Sequence, residues 1–432
     1  MFRIFLAFLI LIGVSGPVAA ASPDPKTLAV PPSELSKSRE LVQQLGSEQF
    51  NEREDAEQAL GKMGRLARRA LLEGVSADPN PEIRNRCAAL LPKATALEMK
   101  ARFEVFLADV EGKYDHDLPG WNQFRATVRN DWTLFGYLIS SDRSLEKAAR
   151  SVFVELISTP ANKCVVMGAG GSQTELNSIV IARRQELYNQ KYGRLGGPGG
   201  GGLRASQSPT ERRDPTAEDV AALLFAESLA PQIVARVPRQ ASISLLITSS
   251  GFSSQVRDTD EKGRVYKAIA VAWLESRINP LDLYQGMTLA TNMGLPNQSL
   301  RIASKLFTTP GGTVSYRGNA AMTLARLGSK EHIPLLEKAF EDTGVLTLAR
   351  ANIRGNIGDE TPNHEIQIRD VALAVSIQLA GQTLEDYGFI DQFNTNGPGT
   401  INYTYTRYYL PDEKRTAAFE KWKAWWAKNK DK

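Results

Sequence analysis

This chain repeats itself, and that limits its fold more than any other feature. From Arg53 it reads Arg-x-x-Ala56-x-x-x-Leu60-x-x-Met63-Gly64, and from Arg317 it reads Arg-x-x-Ala320-x-x-x-Leu324-x-x-Leu327-Gly328, with the same offsets. Apolar positions three and four apart lie on one stripe of an α-helix, so each copy predicts an amphipathic helix. Each helix is expected to stop at its glycine, which can take the left-handed conformation that closes a last turn. A second helix is predicted after each copy, through Leu66, Ala67, Ala70 and Leu71 in one case and Ile333, Leu336 and Phe340 in the other. Ser329 suits the N-cap of the latter, and Pro334 is tolerable near its start. Short pairs of this kind cannot bury their stripes alone, and stacking pair on pair is the usual solution. The predicted fold class is therefore all-α, an α-solenoid of helix pairs.

The next unit opens at Asp78-Pro79-Asn80-Pro81, a turn into a helix carrying Ile83, Cys87, Leu90 and Leu91. The run from Asp78 to Arg84 resembles the turn and helix start of HEAT and armadillo-like repeats, in which a proline-bearing turn and an inward arginine recur. The stretch from Arg317 to Asp342, and the run from Ile368 to Ala374 leading to Gly381-Gln382 and Tyr387-Gly388-Phe389, resemble exported HEAT-repeat proteins of planctomycete-type bacteria. The resemblance covers residues 38–92 and 283–432. It implies an architecture and supplies no catalytic motif.

Between those regions the chain still reads as helix. Phe103, Phe106, Leu107 and Val110 fall in one segment, and Leu145, Ala148, Ala149, Val152 and Leu156 in another. Residues 193–208 are rich in glycine and have too little apolar surface to offset ordering entropy, which predicts a flexible loop or linker. Helices resume near Thr216 and Glu218 and continue through Tyr266 to Leu274 and Leu281 to Leu306. Asp370 to Ala380 is apolar on nearly all sides, which predicts a buried helix. Ile401, Tyr403 and Tyr405 alternate with polar residues and suit a short strand. The segment from Glu413 to Lys430 sets Phe419, Trp422 and Trp426 on one face, suited to cover the last repeat. The expected regions are a signal peptide (1–21), an N-terminal HEAT-like region (33–160), an irregular segment with the glycine-rich linker (161–215), a second repeat region (216–345) and a C-terminal repeat with its capping helix (346–432).

The first residues set Arg3 before an apolar run from Ile4 to Val14, then Gly16-Pro17 and the small residues Val18 to Ala21, the layout of a secretory signal peptide. The run is too short to cross a bilayer as a stable helix, so no membrane span is expected once it is removed, and a retained N-terminal anchor is the alternative. Periplasmic or secreted localisation follows. The balance of 52 basic and 48 acidic side chains leaves +4, which gives no global field for nucleic acid. Cys87 falls on an apolar face and reads as core. A bridge to Cys164 would suit an oxidising compartment, with two free thiols as the alternative.

Signals for chemistry are few. The three histidines, His116, His332 and His364, form no H-x-x-x-H or H-E-x-x-H pattern. Asp115-His116-Asp117 is expected to be an exposed loop rather than a metal site, because adjacent side chains diverge. His332 is expected at a solvated helix end, and His364 in an acidic loop with Asp359, Glu360 and Glu365 that could attract a cation weakly. Gly168-Ala169-Gly170-Gly171-Ser172 lacks the remainder of a phosphate-binding motif and reads as a plain loop. The segment from Arg183 to Arg213 carries Arg183, Arg184, Lys191, Arg194, Arg204, Arg212 and Arg213 against two glutamates, and is expected to be solvated rather than to hold a polyanion. The expected function is a monomeric scaffold for a protein or envelope macromolecule, with no catalytic residue, metal or cofactor. The alternative is an extracytoplasmic hydrolase or lyase whose site lies in the irregular middle or the 343–366 loop. N-terminal sequencing of exported protein should begin at Ala21 or Ser22; an intact Met1 would establish the anchor instead.

Overall fold

The computed structural model describes residues 22–129, 143–192, 213–230, 243–350, 363–390 and 408–430. The signal-like segment, the glycine-rich stretch, Asp359 and Glu360, and the alternating run at 401–406 lie outside the described residues. The described chain is mostly α-helical and packs as two compact units.

The first unit holds α1 (Pro32–Gln44), α2 (Phe50–Met63), a 3₁₀ turn (Gly64–Ala67), α3 (Arg68–Ala77) and α4 (Pro81–Ala108). Helix α1 packs on α2 and α3, α3 on α4, and α2 on α4, so helices touch both their neighbour and the next but one. Their shared core takes Val42 and Leu45 from α1 and its end, Ala56 and Leu60 from α2, Ala70 and Leu71 from α3, and Ile83 and Cys87 from α4. Each fully buried leucine of this kind contributes about 1.5–3 kcal/mol through removal from water.

The arginine that opens each sequence repeat has a defined task. Arg53 Nη1 donates to the carbonyls of Ser47 and Glu48, at 2.8 and 3.1 Å. Arg84 Nη1 donates to those of Asp78 and Pro79, at 2.8 Å each. In both places the guanidinium reaches back six and five residues, to carbonyls in the turn that no helix ladder satisfies. Asn80 completes the second turn by accepting the N–H of Glu82 at 2.9 Å.

Two expectations change here. The helix carrying Ile83 to Leu91 and the segment around Phe103 are one element: α4 runs from Pro81 through Pro92 to Ala108. A proline removes one ladder donor, and the remaining bonds of a 28-residue helix carry it through. The repeat glycines also differ from each other. Neither takes the left-handed helical conformation: Gly64 has φ +58° with ψ −118°, a backbone region open chiefly to glycine, whereas Gly328 is extended at φ −80°. A side chain at Gly328 would bring its Cβ within 2.5 Å of the Leu324 carbonyl oxygen, so there the constraint is close approach.

The second unit begins at α5 (Trp121–Arg129). Helix α6 (Arg143–Leu156) gives its residues up to Ser151 to the first unit and the rest to the second. Then follow α7 (Pro160–Gly168), α8 (Gln173–Tyr192), α9 (Ala217–Ser228), α10 (Ile243–Ser249), α11 (Phe252–Arg257) and α12 (Glu261–Glu275). Helix α9 lies at the centre, with Val220 to Glu227 all buried, and α7, α8, α11 and α12 pack around it. It starts at a capping box in which Thr216 and Asp219 satisfy each other's backbone N–H groups. Trp121, Phe124, Phe153 and Phe225 form an aromatic cluster at centroid distances of 5.3–6.1 Å.

The pattern of neighbour and next-but-one returns in α13 (Pro280–Asn292), α14 (Pro296–Thr308) and α15 (Val314–Leu327): α14 meets α13, α15 and α12, and α13 meets α15. Gly294 at φ +72° divides α13 from α14 within the stretch read as helical from Leu281 to Leu306. Arg317 on α15 repeats the backward reach, donating to the Gly312 carbonyl at 3.2 Å and meeting Asp342 at 2.9 Å. After a 3₁₀ turn (Lys330–His332) and the short α16 (Ile333–Glu337) comes a correction to the expected loop at 343–366. β1 (Val345–Arg350) and β2 (Asn363–Gln367) pair antiparallel. Helix α17 (Ile368–Leu379) is buried along nearly its whole length, as its composition predicts. On α18 (Asp412–Asn429), Arg415 grips the buried Asp370 of α17 with two bonds of 2.8 and 3.0 Å. Trp422 of α18 is fully buried and donates to Glu337 at 3.2 Å, and Phe419 sets its ring edge against Phe340.

Glu227, near the end of α9, is a fully buried charge of the second unit. Arg184 of α8 forms an ion pair with it, Trp273 Nε1 donates to it at 2.9 Å, and Arg277 lies 3.8 Å away while donating to its backbone carbonyl at 3.0 Å. Burial lowers the Arg277 pKa, and Glu227 and Asp282 act against that fall. Removing the one shared carboxylate would leave two buried guanidinium groups unbalanced. Glu227→Gln should therefore cost about 3 kcal/mol or more in a denaturant-unfolding measurement. An unchanged midpoint and slope would contradict this role.

Candidate functional site

The structure disperses most of the residues that carry candidate chemistry. His116 corrects the expected exposed loop. It is buried, its Nε2 lies 2.9 Å from Asp109, and its ring sets an edge against Phe106, while Asp115 and Asp117 stay exposed. Asp109 is itself fully buried just past α4, where it accepts the backbone N–H groups of Lys113 and Tyr114 at 3.0 Å each. Arg150 approaches it at 3.5 Å, donates to the Phe106 carbonyl at 2.7 Å and lies over the Phe106 ring. The sequence triplet is one edge of a structural network.

His332 Nδ1 accepts the Ser329 N–H at 3.2 Å and so caps the 3₁₀ turn. His364 lies in β2, paired in register with Ala349, and its neighbours Asp359 and Glu360 are outside the described residues. The glycines from Gly168 to Gly171 link α7 to α8. The run Cys164 to Met167 before them is helical, so no strand leads into that turn.

The basic segment from Arg183 is solvated at Arg213, which is exposed, but not along α8. Arg183 is buried and bonds Asn162 at 3.0 Å and Asp219 at 2.7 Å, Arg184 is paired with Glu227, and Lys191 meets Asp214 at 2.8 Å. Arg194, Arg204 and Arg212 lie outside the described residues. Trp425 and Trp426 are half-buried, stacked with each other and next to Trp422. Cys87 and Cys164 are free thiols, the first buried and the second exposed. Among the described residues, no group of three or more His, Cys, Asp or Glu side chains could hold a metal ion.

What the structure does assemble is a groove of about 470 Å³ in the first unit, within the size of ligand-binding clefts. Residues Pro25 to Val30 form one wall, and the 3₁₀ turn and α3 another. The middle of α4 and Asp115 to Asp117 complete it. Five cationic side chains line it: Lys26, Arg65, Arg68, Arg69 and Arg102. Three carboxylates interleave with them, from Glu98, Asp115 and Asp117. Glu98 holds Arg102 at 2.9 Å and Arg65 at 3.8 Å, and Arg65 also donates to the Leu28 carbonyl at 2.8 Å, so Arg65 is held at two points and Arg102 at one. Arg69 pairs with Glu73 at 3.2 Å. Sequence reasoning missed this cluster. Its signal is the spacing Arg65, Arg68, Arg69, Leu72 on successive turns, with Glu98 and Arg102 four apart on the facing helix.

No family model, no curated protein and no solved structure matches this chain. Among the described residues, no helix is long and apolar enough to cross a membrane.

Asp109 makes the electrostatics beside this groove testable. Burial alone would raise its pKa, but the bonds from His116 and from the Lys113 and Tyr114 N–H groups outweigh it and bring the carboxyl down to about 2. An unfolded aspartate titrates near 3.9, so its folded-state contribution is complete above that pH and is lost as pH falls from about 4 to 2. The stability difference between wild type and Asp109→Asn should be about 2 kcal/mol at pH 6 and should narrow through that window. Chemical denaturation at stepped pH checks this, and a constant gap down to pH 2 would refute it.

Proposed function

We propose that this chain is an exported HEAT-type repeat scaffold, an α-solenoid in its helical stretches, that binds a protein partner in the cell envelope. One observation carries the reading. An arginine reaches back to two carbonyls of the preceding turn at Arg53 and Arg84 and to one at Arg317, each three residues before the first small core position of its helix. Recurrence of one backbone device at matched offsets, in helices that touch their neighbour and the next but one, is what a stacked array of similar pairs requires. Such arrays act through extended surface, and the loss from any one contact is graded.

The test is affinity capture from the native envelope fraction at low salt, with excess unlabelled protein as competitor. A defined partner recovered in fixed ratio and displaced by the competitor is the expected result. Recovery of nothing, together with turnover of an envelope polymer by the purified chain, would overturn the scaffold in favour of a hydrolase or lyase.

A further inference from the structure

The groove of the first unit combines features that packing alone does not account for. Arg65 is held by Glu98 and by the Leu28 carbonyl, and Arg102 by Glu98. Arg68, in the same lining, has a buried Nε with no hydrogen-bond partner, and neither it nor Lys26 has a carboxylate partner among the described residues. Apolar side chains share the same lining, Leu28, Val30 and Leu72, and Leu72 leaves 45% of its surface exposed. The groove thus presents an excess of positive charge, two cations with no carboxylate of their own, and a place for an apolar side chain.

We propose that this groove docks an acidic polypeptide segment of the scaffold's partner, one in which aspartate or glutamate residues flank an apolar side chain. The inference rests on the binding reading above and names the chemistry of the partner. Guanidinium groups held before binding lower its ordering cost, and their planar forks match carboxylates in geometry. A closely spaced phosphate backbone fits less well. Its charges would fall against Glu98, Asp115 and Asp117 as well as against the arginines, and it would offer nothing to Leu28, Val30 and Leu72. A polypeptide can space its carboxylates to avoid those three and can bury a leucine on those apolar side chains.

The full-length chain is titrated, by fluorescence anisotropy, with a labelled peptide alternating Glu or Asp with Leu, with the same peptide in Gln and Asn, and with heparin as the polyanion. The acidic peptide should bind at least about tenfold more tightly than its amide counterpart and should weaken as salt shortens the screening length. Arg68→Gln combined with Lys26→Gln should cost about tenfold in that affinity with an unchanged thermal midpoint, and Leu72→Ser should weaken acidic and amide peptides alike. Equal binding of acidic and amide peptides, or full affinity in the double variant, would overturn the proposal. Tight heparin binding without peptide binding would overturn it in favour of a polyanion site. If the double variant still captures the envelope partner while peptides fail to bind, the groove is wrong and the scaffold stands. If peptides bind as expected and no partner is captured, the groove stands and the scaffold fails.

Discussion

A turn that feeds a helix leaves carbonyls with no ladder to join, and in this protein a guanidinium from the first turn of the helix collects them. Arg53, Arg84 and Arg317 each do so. A side chain with five donors and a permanent charge suits the task, because it satisfies two acceptors at once and stays hydrated at its outer edge. With the turn fixed, the angle at which the chain enters the helix is fixed too. The apolar positions that follow, Ala56 and Leu60 or Ala320 and Leu324, then reach full burial. The hydrophobic stripes supply most of the driving force, and the arginine determines where they point.

The interior of the second unit uses charge differently. Glu227, Arg184 and Arg277 are almost wholly removed from water, and a fully desolvated ion set of this kind gains little over an apolar replacement. Its effect is on uniqueness. Arg277 also donates to the Trp273 carbonyl and lies over the Trp273 ring, and its own carbonyl accepts Lys305 at 2.6 Å. Any slip of α8, α9, α12 or α14 against the others would strand a charge. Asp370 with Arg415, and Asp219 with Arg183, tie α17 to α18 and α8 to α9 on the same principle. Most of the buried arginines therefore specify packing and are not available for chemistry.

These two uses explain how much could be read from the sequence. Helices with a clear apolar stripe were legible, as were those with a strong start signal such as Thr216 or Asn80, because burial and capping act over three or four residues. The continuation of α4 through Pro92 was not legible, since a proline's local cost is outweighed by packing that only the folded chain reveals. The pairing of β1 with β2 was hidden for a similar reason: Val345–Arg350 and Asn363–Gln367 are short, and their register depends on bonds across the gap between them. The segment from Arg183 read as a basic stripe because its partners Asp219 and Glu227 lie 36 and 43 residues further on. His116 looked exposed between two aspartates, whereas its partner is Asp109, seven residues back.

The groove of the first unit stands apart from these networks because its charges do not cancel. The buried arginines Arg150, Arg183, Arg184 and Arg277 each lie within 4 Å of a carboxylate. Here Glu98 serves two guanidinium groups and Arg68 is served by none. A cluster that only had to hold helices together would gain by supplying that missing carboxylate, since like charges on adjacent turns repel. Leaving it out costs the folded chain something, and that cost is offset when a second molecule brings the carboxylate. The same side chains that fix the 3₁₀ turn to the residues before α1 would then keep the binding surface open before the partner arrives.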